Sequence, residues 1–269
     1  MQIRLLGGFG VERGGQSIQP GTWRLRKART LVKLLALTRD QRLHREVLLD
    51  SLWPGRDPMS AVNNLHQALH IARRVLADNV SSDGWLELRD DVVSLNANGL
   101  VDVDVRRFEQ LAALARASGS LNDLRAAVAA YTGDLLPEDR FEDWAARPRE
   151  ELRESFCDLL VDLADALGTT DHEAEALDAL QRALATDPLH ERAVRGIMRR
   201  HAAMGRRSEA LERYEQLRRD LREAYGTDPD PETRRLYRDL LTGSLEVEEP
   251  PDQQRHNLSV VLFQAIIEG

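Results

Sequence analysis

From Ser60 to Ala77 the chain contains no Asp or Glu, although acidic residues outnumber basic ones in the whole protein by 45 to 37. Within that stretch Val62, Leu65, Leu69, Ala72 and Leu76 recur at spacings of three and four, which predicts a helix with one buried stripe. At roughly 100° per residue, Asn63, Gln67, His70 and Arg74 fall opposite the stripe, with His66 and Arg73 on one flank and Asn64 on the other. A merely solvated face in an acidic protein mixes Glu with Lys. This face instead offers amides that pair with adenine, guanidiniums that pair with guanine, and imidazoles that reach phosphate, with no carboxylate to repel a polyanion. The expected chemistry is base reading by Asn63, Asn64, His66, Gln67, His70, Arg73 and Arg74.

Other chemistries find little support. Neither a phosphate loop nor a nucleophile elbow is present, so no enzyme activity and no cofactor are expected. His66 and His70 stand four apart, but their helix supplies no Cys or acidic third ligand, so no metal site is expected. His190 and His201 read as helix-surface or packed residues. Carboxylates between 142 and 154 alternate with Arg147, Arg149 and Arg153, the pattern of an ion-paired helix surface. The single cysteine, Cys157, excludes an internal disulfide and fits a reducing cytoplasm. The N-terminal apolar run is too short for a signal peptide, and no stretch approaches a membrane span.

The elements that must present the acid-free face are legible around it. Ile3–Leu6 and Phe9–Val11, separated by Gly7-Gly8 and closed by Gly14-Gly15, predict a hairpin. Leu31, Leu34, Leu35 and Leu37 predict a first long helix behind a basic start, Arg24, Arg26, Lys27 and Arg29. A short helix around Val47, Leu48, Leu49 and Leu52 breaks at Trp53-Pro54-Gly55. Asp57-Pro58 then caps the third helix, which runs to about Ala77. Trp85–Leu88 and Val92–Leu95 predict two strands turning at Arg89-Asp90-Asp91. Hairpin, three helices, hairpin is the order of a winged helix with an extra N-terminal sheet. In such a unit Arg24, Arg26, Lys27, Arg29 and Arg89 are the candidate phosphate contacts.

Charge divides along the same line. Residues 1–100 hold 14 basic and 10 acidic residues; the rest hold 23 and 35. Two domains with different partners are therefore expected. Only the first has a field that attracts DNA.

Residues 101–242 read as helical. The segment 150–167 places Leu152, Phe156, Leu159, Leu160, Leu163 and Leu167 on one face. Glu175-Ala176-Leu177 recurs as Glu209-Ala210-Leu211, 34 residues on, the period of tetratricopeptide helix pairs. Residues 243–257 predict a solvated linker. Residues 258–269 predict a strand-like tail that either docks on the body or begins a further domain.

The chain resembles the streptomycete antibiotic regulatory proteins and related regulators with a bacterial transcriptional activator domain. The residues that carry the likeness include Ile3–Phe9, Leu52-Trp53-Pro54, Asn63–Leu69 with Arg73-Arg74, Trp85–Leu88, Val103-Asp104-Val105, Gly133–Pro137, Asp187–Arg192, Gly205-Arg206 and Gly226–Pro229. The resemblance implies a mainly α fold, with an OmpR-type winged helix-turn-helix over 1–100 followed by all-α, tetratricopeptide-like helices. It also implies a transcriptional activator, binding repeated sites in double-stranded promoter DNA as a homodimer and contacting RNA polymerase. The family often has Arg where Val62 and Ile71 stand here, and Leu at Ala72. That departure removes two positive charges, which weakens phosphate grip or marks a different operator. The rival class is a helical scaffold whose winged helix binds protein. A place at the head of a longer, ATPase-type regulator is a further alternative.

Overall fold

The computed structural model describes residues 1–77, 85–95, 101–168 and 172–244. Apart from Gly243 and Ser244, the expected linker and the whole expected tail lie outside the described residues.

The N-terminus opens with β1 (Gln2–Arg4), β2 (Gly10–Arg13) and β3 (Gln16–Ser17), then α1 (Arg26–Leu37), β4 (Arg42–His44), α2 (Arg45–Leu52), α3 (Pro58–Leu76), β5 (Leu86–Arg89) and β6 (Val92–Leu95). The expected hairpin is present with shorter strands, pairing Ile3 with Val11 in antiparallel register. Three short strands escaped the sequence reading, the first being β3, which pairs antiparallel with β2, Glu12 opposite Ser17. β4 pairs antiparallel with β6, Leu43 opposite Val93, so the second sheet runs β4-β6-β5, with α2 and α3 between β4 and β5 in sequence. β7 (Asp102–Val103) pairs parallel with β1, Val103 beside Ile3, and completes a first sheet ordered β3-β2-β1-β7. The strand that follows the wing therefore returns to the chain's first residues.

Then come α4 (Asp104–Ser118), α5 (Leu121–Ala130), α6 (Asp143–Leu167), α7 (Glu173–Thr186), α8 (Glu191–Ala203), α9 (Arg207–Tyr225) and α10 (Pro231–Thr242). The repeated Glu-Ala-Leu triplets lie near the starts of α7 and α9. The architecture is thus mainly α, with a winged helix before a helical region.

By packing, the chain divides into two compact units, Met1–Pro188 and Leu189–Gly269. That line is drawn elsewhere than at residue 100, and the reason is physical. The Asp104 carboxylate, at the start of α4, accepts the N–H groups of Leu5 (2.9 Å) and Leu6 (2.9 Å). Burial pushes that carboxyl above its usual range, against the pull of these donors and of the Val105 N–H. Leu6 and Leu135 form an isolated bridge, and Gly7 N–H donates to Asp134 O at 2.9 Å. A Cβ on Gly133 would stand 3.0 Å from the Gly7 Cα, and both residues hold positive φ (148° and 72°). Gly133 is therefore required by a close backbone approach as well as by its positive φ.

A buried cation reinforces the junction. Lys33 on α1 is 1% exposed, and its ammonium bonds Asp139 Oδ2 at 2.5 Å and Glu138 Oε1 at 2.8 Å in the one-turn 3-10 helix Pro137–Asp139. Its Nζ also lies 5.0 Å from the Phe9 ring centroid. Arg106 of α4 donates to Leu37 O at 2.7 Å. Around these polar ties Leu5, Leu6, Leu31, Leu35, Phe108, Leu135 and Leu136 are buried. Each contributes about 1.5–3 kcal/mol through lost water contact.

The second unit is held by Arg195, 6% exposed, on Asp230 (2.8 Å), Thr233 Oγ1 (2.8 Å) and Glu232 (3.0 Å). Tyr214 of α9 stacks on Tyr237 of α10, centroids 3.9 Å apart. His190 caps α8 through its ring nitrogen, which accepts the Ala193 N–H at 3.3 Å.

Candidate nucleic-acid interface

α3 begins where the sequence says it should. Asp57 Oδ2 accepts the Ser60 N–H at 3.0 Å, and Pro58 occupies the first helical position. The cap bond holds the Asp57 carboxyl below its usual range. Nineteen residues make a rod about 28 Å long, ample to cross a major groove about 12 Å wide.

Its buried stripe is Ala61, Leu65, Ala68, Leu69, Ala72 and Leu76. Val62, expected in the stripe, is only half-buried. The two small alanines at 61 and 68 let neighbouring elements approach, and this turns the stripe toward them. The polar face keeps its expected membership. Asn63, His66, Gln67, His70, Arg73 and Arg74 are exposed, and Asn64 is half-buried. Among the described residues Asn63, Gln67, His70 and Arg74 have no hydrogen-bond or ion-pair partner in the protein. Their donors and acceptors are available to another molecule.

Arg73 is different. Its Nε donates to Leu86 O at 2.9 Å, so this residue fastens β5 to α3. At the helix end, the Arg13 guanidinium donates to the last carbonyls, Leu76 O (3.2 Å) and Ala77 O. Cations suit that pole of the dipole.

The wing tip carries Arg89, 80% exposed, with only a 3.7 Å contact to Asp90. Asp90 and Asp91 take positive φ (49° and 62°), as a two-residue hairpin turn of the mirror-image type requires. Asp91 is engaged by Arg45 of α2 at 3.0 Å. Among the described residues of the tip, Arg89 is held only by that long ion pair.

The basic start of the first helix does not act as one group. Arg24 lies before α1 and is exposed; Lys27 is half-buried. Arg26 donates to Glu142 Oε1 at 2.8 Å. Arg29 has its Nε buried without an acceptor among the described residues. Arg26 and Lys33 show that acidic residues after position 100 neutralise part of the N-terminal charge. Two residues beside the face were missed from sequence: Arg56, exposed in the turn before α3, and Met59, 75% exposed in its first turn. Their nearness to the Asp57-Pro58 cap was the available signal, since a helix entering a groove leads with its first turn.

Other sites stay undeveloped. No group of three His, Cys, Asp or Glu among the described residues is arranged to hold a metal ion, so His66 and His70 lack a third ligand there. No helix among them is long and apolar enough to cross a membrane. Arg147 pairs with Glu151 at 2.7 Å as the alternating charges imply, whereas Arg149 instead donates to carbonyls of Leu135 (2.9 Å) and Asp139 (3.1 Å).

Comparison with known proteins gives this geometry a lineage. The chain is 26% identical over 261 residues to "Regulatory protein AfsR" of Streptomyces griseus, covering 94% of this chain but 26% of AfsR. It is 27% identical over 256 residues to "Regulatory protein DnrI" of Streptomyces peucetius, covering 90% of this chain and 92% of DnrI. With "Transcriptional regulator RedD" of Streptomyces coelicolor it shares 28% over 255 residues, covering 90% and 70%. The chain thus spans about a quarter of AfsR and nearly all of DnrI. Among solved structures, Mycobacterium tuberculosis EmbR in complex with a low-affinity phosphopeptide superposes with a TM-score of 0.76 at 18% identity, over 99% of this chain and 70% of that one. That likeness is one of fold. Residues 103–241, a little over half of the chain, match the family described as Bacterial transcriptional activator domain. The chain therefore belongs to the bacterial transcriptional activator domain family, alongside regulators of the streptomycete antibiotic regulatory type.

Proposed function

We propose that this protein is a sequence-specific DNA-binding transcriptional regulator of the cytoplasm, and that α3 reads base edges in the major groove of promoter DNA. One observation carries the proposal: α3 offers an exposed face of amides, imidazoles and guanidiniums, free of carboxylates, whose central members have no partner within the protein. Asn63, Asn64, Gln67 and Arg74 are the base readers, with His66 and His70 reaching base or phosphate. Arg73 sets the wing against the helix, and Arg89 and Arg24 grip phosphate from outside. Lys27 adds a weaker contact. Arg26 joins them only when it leaves Glu142.

The match to an activator-domain family supports a further part of this reading: the protein sits on repeated promoter sites as a homodimer and recruits RNA polymerase. In AfsR the matching segment is about a quarter of the chain, so there this pair of domains is one part of a larger regulator. Reading by α3 applies to either arrangement.

The test is an electrophoretic shift on DNA from upstream of the protein's own gene at rising salt. Released counterions make log affinity fall linearly with log salt, by roughly 0.9 for each phosphate neutralised. Binding that is absent, or insensitive to salt, contradicts the proposal and favours a protein-binding scaffold.

A further inference from the structure

A cleft of about 310 Å³ opens between β2, the turn that follows β3 and α1, walled by Phe9, Val11, Ile18, Trp23 and Arg29. Glu138 closes one side and Arg4 another. Its volume is at the small end of ligand sites, which bury a flat apolar body and orient it with a few polar groups. The apolar part is already shaped. Phe9 and Trp23 meet edge to face with centroids 5.7 Å apart. Gly8 and Gly10 leave the rim without side chains, and the Arg4 guanidinium lies against Gly10, where an added Cβ would stand 3.2 Å from its Nη2.

The polar part has a definite sign. Glu138, the acid of the cleft, is already committed: its Oε1 accepts from Lys33 Nζ at 2.8 Å and from the Phe9 N–H at 3.1 Å. Arg4 shares the field of Asp104, whereas Arg29 has no such match among the described residues. The Arg29 Nε is buried with no acceptor among the described residues, an arrangement that costs free energy until something accepts from it. Two guanidiniums and two aromatic rings lining one cleft suit a carboxylate on a planar apolar body.

We propose that this cleft binds a small planar organic carboxylate, held by Arg29 and Arg4 and packed against Trp23 and Phe9. Arg29 is then a ligand-binding residue and not a phosphate contact for DNA. The bound acid bridges β2 to α1, so its presence stiffens the attachment of the N-terminal sheet to the winged helix.

The experiment is isothermal titration of the full chain, without DNA, using benzoate and its neutral near-isostere benzamide. Benzoate is expected to saturate with a Kd below about 1 mM, and benzamide to bind at least about tenfold more weakly. Arg29→Gln should weaken benzoate at least about tenfold. Ile18→Trp fills the cleft without changing a charge and should abolish benzoate binding even if Arg29→Gln disturbs folding. Equal affinity for acid and amide overturns the proposal. So does benzoate binding that survives either substitution in a folded variant, or the absence of saturation up to about 10 mM benzoate.

Discussion

Replacing Lys33 by Met tests how the winged helix is fastened to the helices after it. The methionine keeps most of the aliphatic stem and removes only the ammonium, which is 1% exposed and bonds Asp139 at 2.5 Å and Glu138 at 2.8 Å. Asp139, with a side chain 7% exposed, is then left as a buried carboxylate without its counter-charge. Removing one partner of a buried pair costs about 3–5 kcal/mol. Glu138, 36% exposed, is rehydrated and adds little. Domains are stable by about 5–15 kcal/mol in total, so the loss is a large fraction. All four tryptophans, Trp23, Trp53, Trp85 and Trp144, precede residue 188, so their fluorescence in urea reports the first unit alone. Lys33→Met should lower its unfolding free energy by about 3–5 kcal/mol, and adding Asp139→Asn should restore much of that loss. A cost under about 1 kcal/mol, or a double variant no better than the single, would show that the cluster is not a clamp.

Three further outcomes follow from particular contacts. Arg73→Ala removes the donor to Leu86 O and should cost about 1–2 kcal/mol of stability, whereas Arg74→Ala should cost nearly none; equal costs in urea melts would refute the tether. Burial alone would raise the Glu138 carboxyl, but Lys33 and the Phe9 N–H hold it below the usual glutamate range. Its contribution is therefore fully present above the ordinary value of 4.5 and is lost as pH falls through the lower folded-state value. Glu138→Gln should flatten that acid limb in urea midpoints taken across this range, and an unchanged limb counts against the assignment. Burial pushes the Cys157 thiol up to about 12, so a disulfide exchange reagent should label it only after unfolding; rapid labelling of folded protein would contradict its place in the core.

How much could be read in advance depended on how local each cause was. The Asp57-Pro58 cap and the acid-free face lie within one helix, and the structure places both where the spacing put them. The wing strands start within a residue of their apolar runs. Lys33 is the opposite case. Its position among Leu31, Leu34 and Leu35 gave no sign that the ammonium would be buried, because the acid that makes this tolerable lies 106 residues away. Arg26 looked like part of a phosphate-binding start for the same reason, its partner Glu142 being 116 residues distant. β7 has two residues and β4 three, too few for any alternation to register, and both exist through pairing with strands remote in sequence. The rotation away from Val62 needed knowledge of which neighbours press on Ala61 and Ala68.

The most direct measurement of the central claim is selection of bound sequences from randomised duplex DNA by the parent protein and by Asn63→Ala/Gln67→Ala/His70→Ala. The parent should recover a repeated motif. The variant should lose about 1–3 kcal/mol of discrimination at each base these side chains read, while its salt-dependent affinity for arbitrary DNA stays close to the parent's. An identical motif from both proteins would contradict reading by α3.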